Sequence, residues 1–172
     1  MTEQQYYWFA ARTRDKQEFG IRDSLEKLGL EYYLPTRYVI RQLKYRKKRV
    51  EVPVIRNLIF IRADKQTACD VPNQHRIPIF FLKDLSTRAM LVVPDKQMRD
   101  FMHVMSLNPD SVRFDEVPLS VGARVQVTEG EFCGVEGELL TTSNRSYVVI
   151  RLDGILTASI KVLKEHLRVI ES

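Results

Sequence analysis

Apolar residues along this chain follow two periods, and the switches between them mark its elements. Residues 6–12 are aromatic and apolar and predict a first strand. Residues 16–28 follow with Ile21, Leu25 and Leu28 at i, i+4 and i+7, one face of a helix that Gly29 stops. Residues 31–43, rich in Tyr, Val and Ile, predict a strand in which Pro35 marks an edge position or a bend. The basic run 44–49, KYRKKR, forms a tip, and residues 50–63 return as a long strand with a break near Pro53 and Arg56-Asn57. Strand, tip and strand predict a long hairpin. A short helix at 67–74, cut by Pro72, and short strands at 79–83 and 88–93 come next. Pro94-Asp95 opens a further helix, where a missing N–H is harmless. Met98, Phe101, Met102 and Met105 give that helix an apolar face, which reads as core. This order predicts an α+β domain, an antiparallel sheet flanked by helices.

Residues 106–119 lose the periodicity and contain Asn108-Pro109-Asp110 and Pro118, a linker pattern. Five short β-like runs follow at 124–128, 137–142, 146–152, 157–161 and 167–170, punctuated by Gly130, Gly134, Gly137 and Gly154. They predict a small all-β five-stranded barrel. The expected organisation is therefore a domain over 1–108, a linker over 109–118 and a barrel over 119–172.

Charge sharpens this division. Residues 1–114 hold 21 Lys and Arg against 13 Asp and Glu, a balance of +8; residues 115–172 hold 6 against 9, a balance of −3; together they give the net +5. A basic front half is suited to nucleic acid, an acidic back half to protein. Two cysteines, Cys69 and Cys133, are too few for a disulfide scaffold and lack zinc-ligand spacing. The three histidines join no metal-binding cluster, and no phosphate-loop or nucleophile motif occurs. No metal, cofactor or catalysis is expected. With no apolar run long enough for a bilayer and no signal-peptide pattern at the N-terminus, a cytoplasmic chain that does not meet the membrane is expected.

The most specific string is VTEGEFCGVEG at 127–137. Gly130 permits a positive-φ turn, Phe132 supplies a large anchor, and Gly134 and Gly137 let the backbone bend into the next strand. Val127, Gly130, Phe132, Gly134 and Gly137 resemble the KOW motif of NusG-type elongation factors and some ribosomal proteins. The front half adds to the likeness. YYWFAARTR, the helix at 16–28, YYLPTRYV, the basic hairpin and Ile55-Arg56-Asn57-Leu58 followed by IFI occur in the order of an NGN-type N-terminal domain.

The resemblance implies a non-enzymatic, monomeric transcription elongation and antitermination factor. Its first domain would grip the clamp helices of the RNA polymerase largest subunit with an apolar patch. Mapped here, that patch is Leu34, Ile55, Leu58, Phe80 and Phe81, although strand alternation assigns Phe80 and Phe81 to opposite faces. Arg12, Arg14 and Lys16, with His75 and Arg76, are candidates for non-template DNA in the transcription bubble. Lys47 and Lys48 in the hairpin tip are candidates for phosphates of upstream DNA. The KOW barrel would recruit a ribosomal small-subunit protein or a termination factor, with Phe132, Val135 and Ile160 as contacts or as barrel core. Arg56 stands where the family usually has Pro, and Leu58 where it usually has an aromatic. That departure points to a specialised paralogue, RfaH-like or UpxY-like, acting on particular operons such as surface polysaccharide loci. A general NusG factor and a ribosome-associated KOW protein that binds RNA are the alternatives. One branch of the family refolds its C-terminal domain as a helical hairpin. Ile160, Leu163, Leu167 and Ile170 have helix spacing, whereas Thr141, Thr142 and residues 148–150 favour strands.

Overall fold

The computed structural model describes residues 4–107, 109–115, 122–142 and 145–170. Mixed helices and antiparallel sheets build two compact units, Met1–Val93 and Pro94–Ser172.

In the first unit, β1 (Tyr7–Thr13) is central. It pairs antiparallel with β5 (Leu58–Ala63) on one side and with β6 (Ile79–Phe81) and β7 (Val92–Val93) on the other. β2 (Glu31–Tyr33) extends the sheet beyond β5. Alternation along β1 and β5 divides the side chains between two faces. Phe9, Ala11, Ile59, Ile61 and Ala63 pack with Ile21 and Leu25 of α1 (Glu18–Lys27) and with Ala68 and Val71 of α2 (Lys65–Asn73). Full burial of a large apolar side chain contributes roughly 1.5–3 kcal/mol, so this cluster stabilises the unit. Trp8, Ala10, Leu58 and Phe60 occupy the other face and are also buried.

The long strand expected at 31–43 is divided. Leu34-Pro35 separates β2 from β3 (Thr36–Gln42), which pairs with β4 (Lys47–Pro53) in a separate two-stranded hairpin. The return strand breaks where the sequence indicates: β4 ends at Pro53, and Asn57 adopts φ 61° before β5 begins. Asn is among the few non-glycine residues that tolerate this left-handed conformation. Helix α2 runs through Pro72 but ends at Asn73, so the proline disturbs only its last turn. Its start at Lys65 is fixed by Asp64, whose carboxylate accepts from the Thr67 amide at 3.2 Å and from the Thr67 hydroxyl. Of the strand expected at 88–93, only Val92–Val93 pairs with β1, while Met90 forms an isolated bridge with Lys83.

The second unit is one six-stranded antiparallel sheet in the order β13-β9-β10-β11-β12-β8. Five strands match the expected runs: β9 (Arg124–Val127), β10 (Glu136–Thr142), β11 (Arg145–Leu152), β12 (Leu156–Lys161) and β13 (Leu167–Val169). The sixth, β8 (Arg113–Asp115), lies in the segment that loses periodicity and pairs with β12. Three residues are too few to display alternation, and pairing alone defines this strand. Ile160 and Leu167 lie in two different strands, β12 and β13, joined through a single 3-10 turn at Lys164–His166, so no continuous helix runs through them.

Helix α3 (Asp95–Leu107) belongs to this second unit and lies against β11. Polar contacts attach it to the segment 131–136. Lys96 Nζ donates to the Gly134 carbonyl at 3.0 Å, and the Glu136 amide donates to Asp100 at 3.2 Å. A ring nitrogen of His103 lies 3.0 Å from the Glu131 carbonyl oxygen. Sequence periodicity identifies the apolar face of α3 but not the unit that receives it. The expected boundary at 108 and the compact-unit boundary at 93 therefore lie on either side of this helix.

Candidate protein and nucleic-acid interfaces

The β1 ladder assembles the first candidate site. Arg12 is opposite Leu58 on β5 and opposite Phe80 on β6, so the three residues form one row across neighbouring strands. Leu58 is 2% exposed and Phe80 57% exposed; Arg12 is exposed between them. An apolar ring and a guanidinium are thus presented side by side at one end of the sheet.

The same end gathers the other basic candidates. β1 leaves the sheet at Thr13, beside Ile79 where β6 enters. Arg14 and Lys16 follow the first strand, and His75 and Arg76 precede the second; all four are exposed. Lys16 and Arg76 both have positive φ, 62° and 54°. The Thr13 amide donates to the Asn57 carbonyl at 3.1 Å, which brings the 55–57 turn to this end as well.

The apolar patch mapped from the sequence does not form one open surface in the first unit. Leu34 is buried in the core cluster with the α1 and α2 side chains. Phe81 points to that same side, with its ring 6.0 Å from Phe9 in an edge-on arrangement. Leu58 is buried on the opposite face, and Ile55 is half-buried. Phe80 alone of the five is exposed, and alternation explains its separation from Phe81.

Lys47 and Lys48 are exposed at the start of β4. The hairpin around them carries more than the sequence pattern distinguished. Tyr38, Ile40 and Tyr45 are exposed, and the Arg49 guanidinium lies 4.1 Å from the Tyr38 ring centroid. Glu51, the only acid between Thr36 and Pro53, accepts from Arg22 of α1 and from the Thr36 hydroxyl, each at 3.0 Å. The Arg22 hydrogen bond chiefly holds the Glu51 carboxyl below its ordinary range; partial burial opposes this and the Thr36 bond assists it. The signal for this surface was present as an acid-free run from 32 to 50, but the run does not show which residues face outward.

Residues 6–102, more than half of the chain, match the family described as "Transcription termination factor nusG". The chain belongs to the NusG family. The matched span of this NusG-family chain begins just before β1 and ends within α3. A structure described as "Domain interaction in Thermotoga maritima NusG" is 18% identical, with 97% of this chain and 98% of that one covered and a TM-score of 0.47. A structure described as "Crystal Structure of MjSpt4:Spt5 complex conformation B" is 14% identical, with 96% and 97% covered and a TM-score of 0.27. No curated protein matches the chain.

In the second unit of this NusG-family chain, segment 127–137 closes on itself. The Gly134 amide donates to the Val127 carbonyl at 2.8 Å, and the Val127 amide to the Val135 carbonyl at 2.9 Å. Gly130 and Gly134 have φ of 89° and 95°, a region costly to side chains with a Cβ. Gly137 is constrained by space instead, since a Cβ there would lie 2.4 Å from the Val149 carbonyl oxygen. Phe132, Val135 and Ile160 are 8%, 1% and 0% exposed. Of the two roles the sequence left open for them, their burial fits core packing. Among the described residues, no group of His, Cys, Asp and Glu is arranged to hold a metal ion, and no helix is long and apolar enough to cross a membrane.

Proposed function

We propose that this chain is a transcription elongation and antitermination factor that acts on RNA polymerase without catalysing a reaction or using a cofactor. The row Leu58–Arg12–Phe80 carries this reading, because it sets an exposed aromatic ring beside an exposed cation in a NusG-family chain. Phe80, with the half-buried Ile55, supplies the apolar contact to the clamp helices of the largest subunit. Arg12, Arg14, Lys16, His75 and Arg76 engage non-template DNA of the bubble, where Arg binds phosphate or stacks on an unpaired base. Lys47 and Lys48 bind phosphates of neighbouring DNA without reading sequence. These contacts tie the clamp to the open DNA and suppress pausing and termination.

The front half corresponds to an NGN-type domain and the back half to a KOW domain. The KOW domain recruits a ribosomal small-subunit protein or a termination factor, and its acidic balance favours a protein partner over RNA. The chain works as a monomer in the cytoplasm. Arg56 and Leu58 at the usual proline and aromatic positions favour a specialised paralogue, RfaH-like or UpxY-like, serving operons such as surface polysaccharide loci.

Pull-down of purified RNA polymerase with the full chain and with Phe80→Asp tests this reading. A buried aromatic anchor at an interface contributes about 2 kcal/mol or more, so retention should fall at least tenfold. Equal retention by both proteins would remove Phe80 as the clamp contact.

A further inference from the structure

We propose that the β3–β4 hairpin is a binding site for an unpaired DNA strand, with Tyr45 and Tyr38 as stacking platforms for bases and the surrounding cations as phosphate contacts. This rests on the reading that the chain works at the open DNA of a transcribing polymerase, and specifies the form of DNA that the hairpin takes.

Three features lead to it. The first is charge: residues 32–50 hold seven Lys and Arg and no Asp or Glu. The nearest acid in the hairpin, Glu51, is held by Arg22 and Thr36 at the hairpin base. Such a surface repels basic partners and attracts a polyanion.

The second is the aromatic content. Tyr45 is 88% exposed in the turn, Tyr38 57% and Ile40 72%. Phosphate contact alone gives no role to exposed rings, because the bases of duplex DNA are stacked on one another and hidden from a side chain lying along the backbone. An unpaired strand presents π-faces together with phosphates.

The third is geometry. Tyr38 and Ile40 lie on one face of β3, and Arg49 lies opposite Ile40 on β4. Arg49 covers one face of the Tyr38 ring at 4.1 Å, and Lys44 Nζ lies 5.4 Å from the Tyr45 centroid. Each exposed ring thus has a cation beside it, so a base and its phosphate find complementary groups at one position. Strand rise puts Tyr38 about 15 Å from the turn, so the two rings engage different nucleotides of one strand.

Fluorescence anisotropy of the full chain tests this with three labelled probes: oligothymidylate, an abasic strand of equal length and charge, and a duplex. Oligothymidylate should bind most tightly. Tyr45→Leu should weaken it by about 5- to 150-fold, the range for losing one stacked base. The same substitution should leave the abasic strand and the duplex unchanged, and Tyr45→Trp should restore binding. Lys47→Gln with Lys48→Gln should instead weaken all three probes and reduce the slope of log affinity against log salt by about 1.4 on the single strand. Equal binding of abasic strand and oligothymidylate overturns the proposal, as does an unchanged affinity in Tyr45→Leu or a failure of Tyr45→Trp. Retention of polymerase by the same proteins reports separately on the proposed function. If the hairpin prediction fails while Phe80-dependent retention persists, only the stacking site is lost.

Discussion

Arg12 and Phe80 stand directly opposite each other on β1 and β6, both exposed on the same face of the sheet. The ladder leaves a cation and a ring as neighbours, although they stand 68 positions apart in sequence. Substitutions at Leu58, in the same row, have a different meaning because that side chain is buried. Phe80→Asp should change the unfolding free energy by no more than about 0.5 kcal/mol, as exposed substitutions usually do. Leu58→Asp should cost about 3 kcal/mol or more, because it buries an unpaired carboxylate. Chemical denaturation of the full chain measures both. Loss of polymerase binding in Leu58→Asp therefore reports on folding, whereas loss in Phe80→Asp reports on contact.

Arg12→Gln separates the two parts of the row. The substitution removes a charge and leaves the apolar neighbour. DNA affinity should fall and the salt slope should drop by about 1, while polymerase retention stays near that of the native chain. Anisotropy titrations at several salt concentrations, run beside the pull-down, give both values.

The Arg22–Glu51 pair anchors the hairpin to α1, and its contribution depends on pH. Glu51 titrates below its ordinary range when folded. A lowered carboxyl pKa adds stability that is fully present above the unfolded value, about 4.3, and is lost as pH falls through the folded value. Both side chains are about a quarter exposed, so the pair is worth only about 0.5–1 kcal/mol. The native chain should exceed Glu51→Gln in stability by this amount at neutral pH. The difference should shrink below about pH 4. Denaturation midpoints of the two proteins across this range check the sign.

Gly137→Ala should destabilise the second unit. The added methyl would lie 2.4 Å from the Val149 carbonyl oxygen and 2.8 Å from Val148 Cγ1. Backbone cannot yield as a flexible side-chain end can, and overpacking of this kind costs about 1–3 kcal/mol. Thermal unfolding of the full chain, followed by amide exchange at 148–150, should show the loss in that unit.

Much of this architecture is legible in the sequence, for identifiable reasons. Ile21 and Leu25 reveal α1 because helical spacing and burial coincide. The glycines of 127–137 reveal the closed loop because two need positive φ and one needs space. Pairing is less legible. Pro35 and the break near Pro53 and Arg56-Asn57 mark the bounds of the 36–53 hairpin, but nothing local shows that it pairs apart from the sheet while 58–63 joins β1, since both segments are β-formers. The site is harder still, because exposure depends on which neighbour covers each face. Leu34, Leu58 and Phe80 are all large apolar residues, yet only Phe80 is open. Tyr45 is legible as part of the basic tip, whereas the exposure of Tyr38 follows only from the pairing of β3 and β4 apart from the main sheet.

The most direct test of the account compares binding of the full chain to intact RNA polymerase and to polymerase lacking its clamp helices. Stable retention on the intact enzyme and loss on the truncated one are expected. Undiminished retention on the truncated enzyme would contradict it.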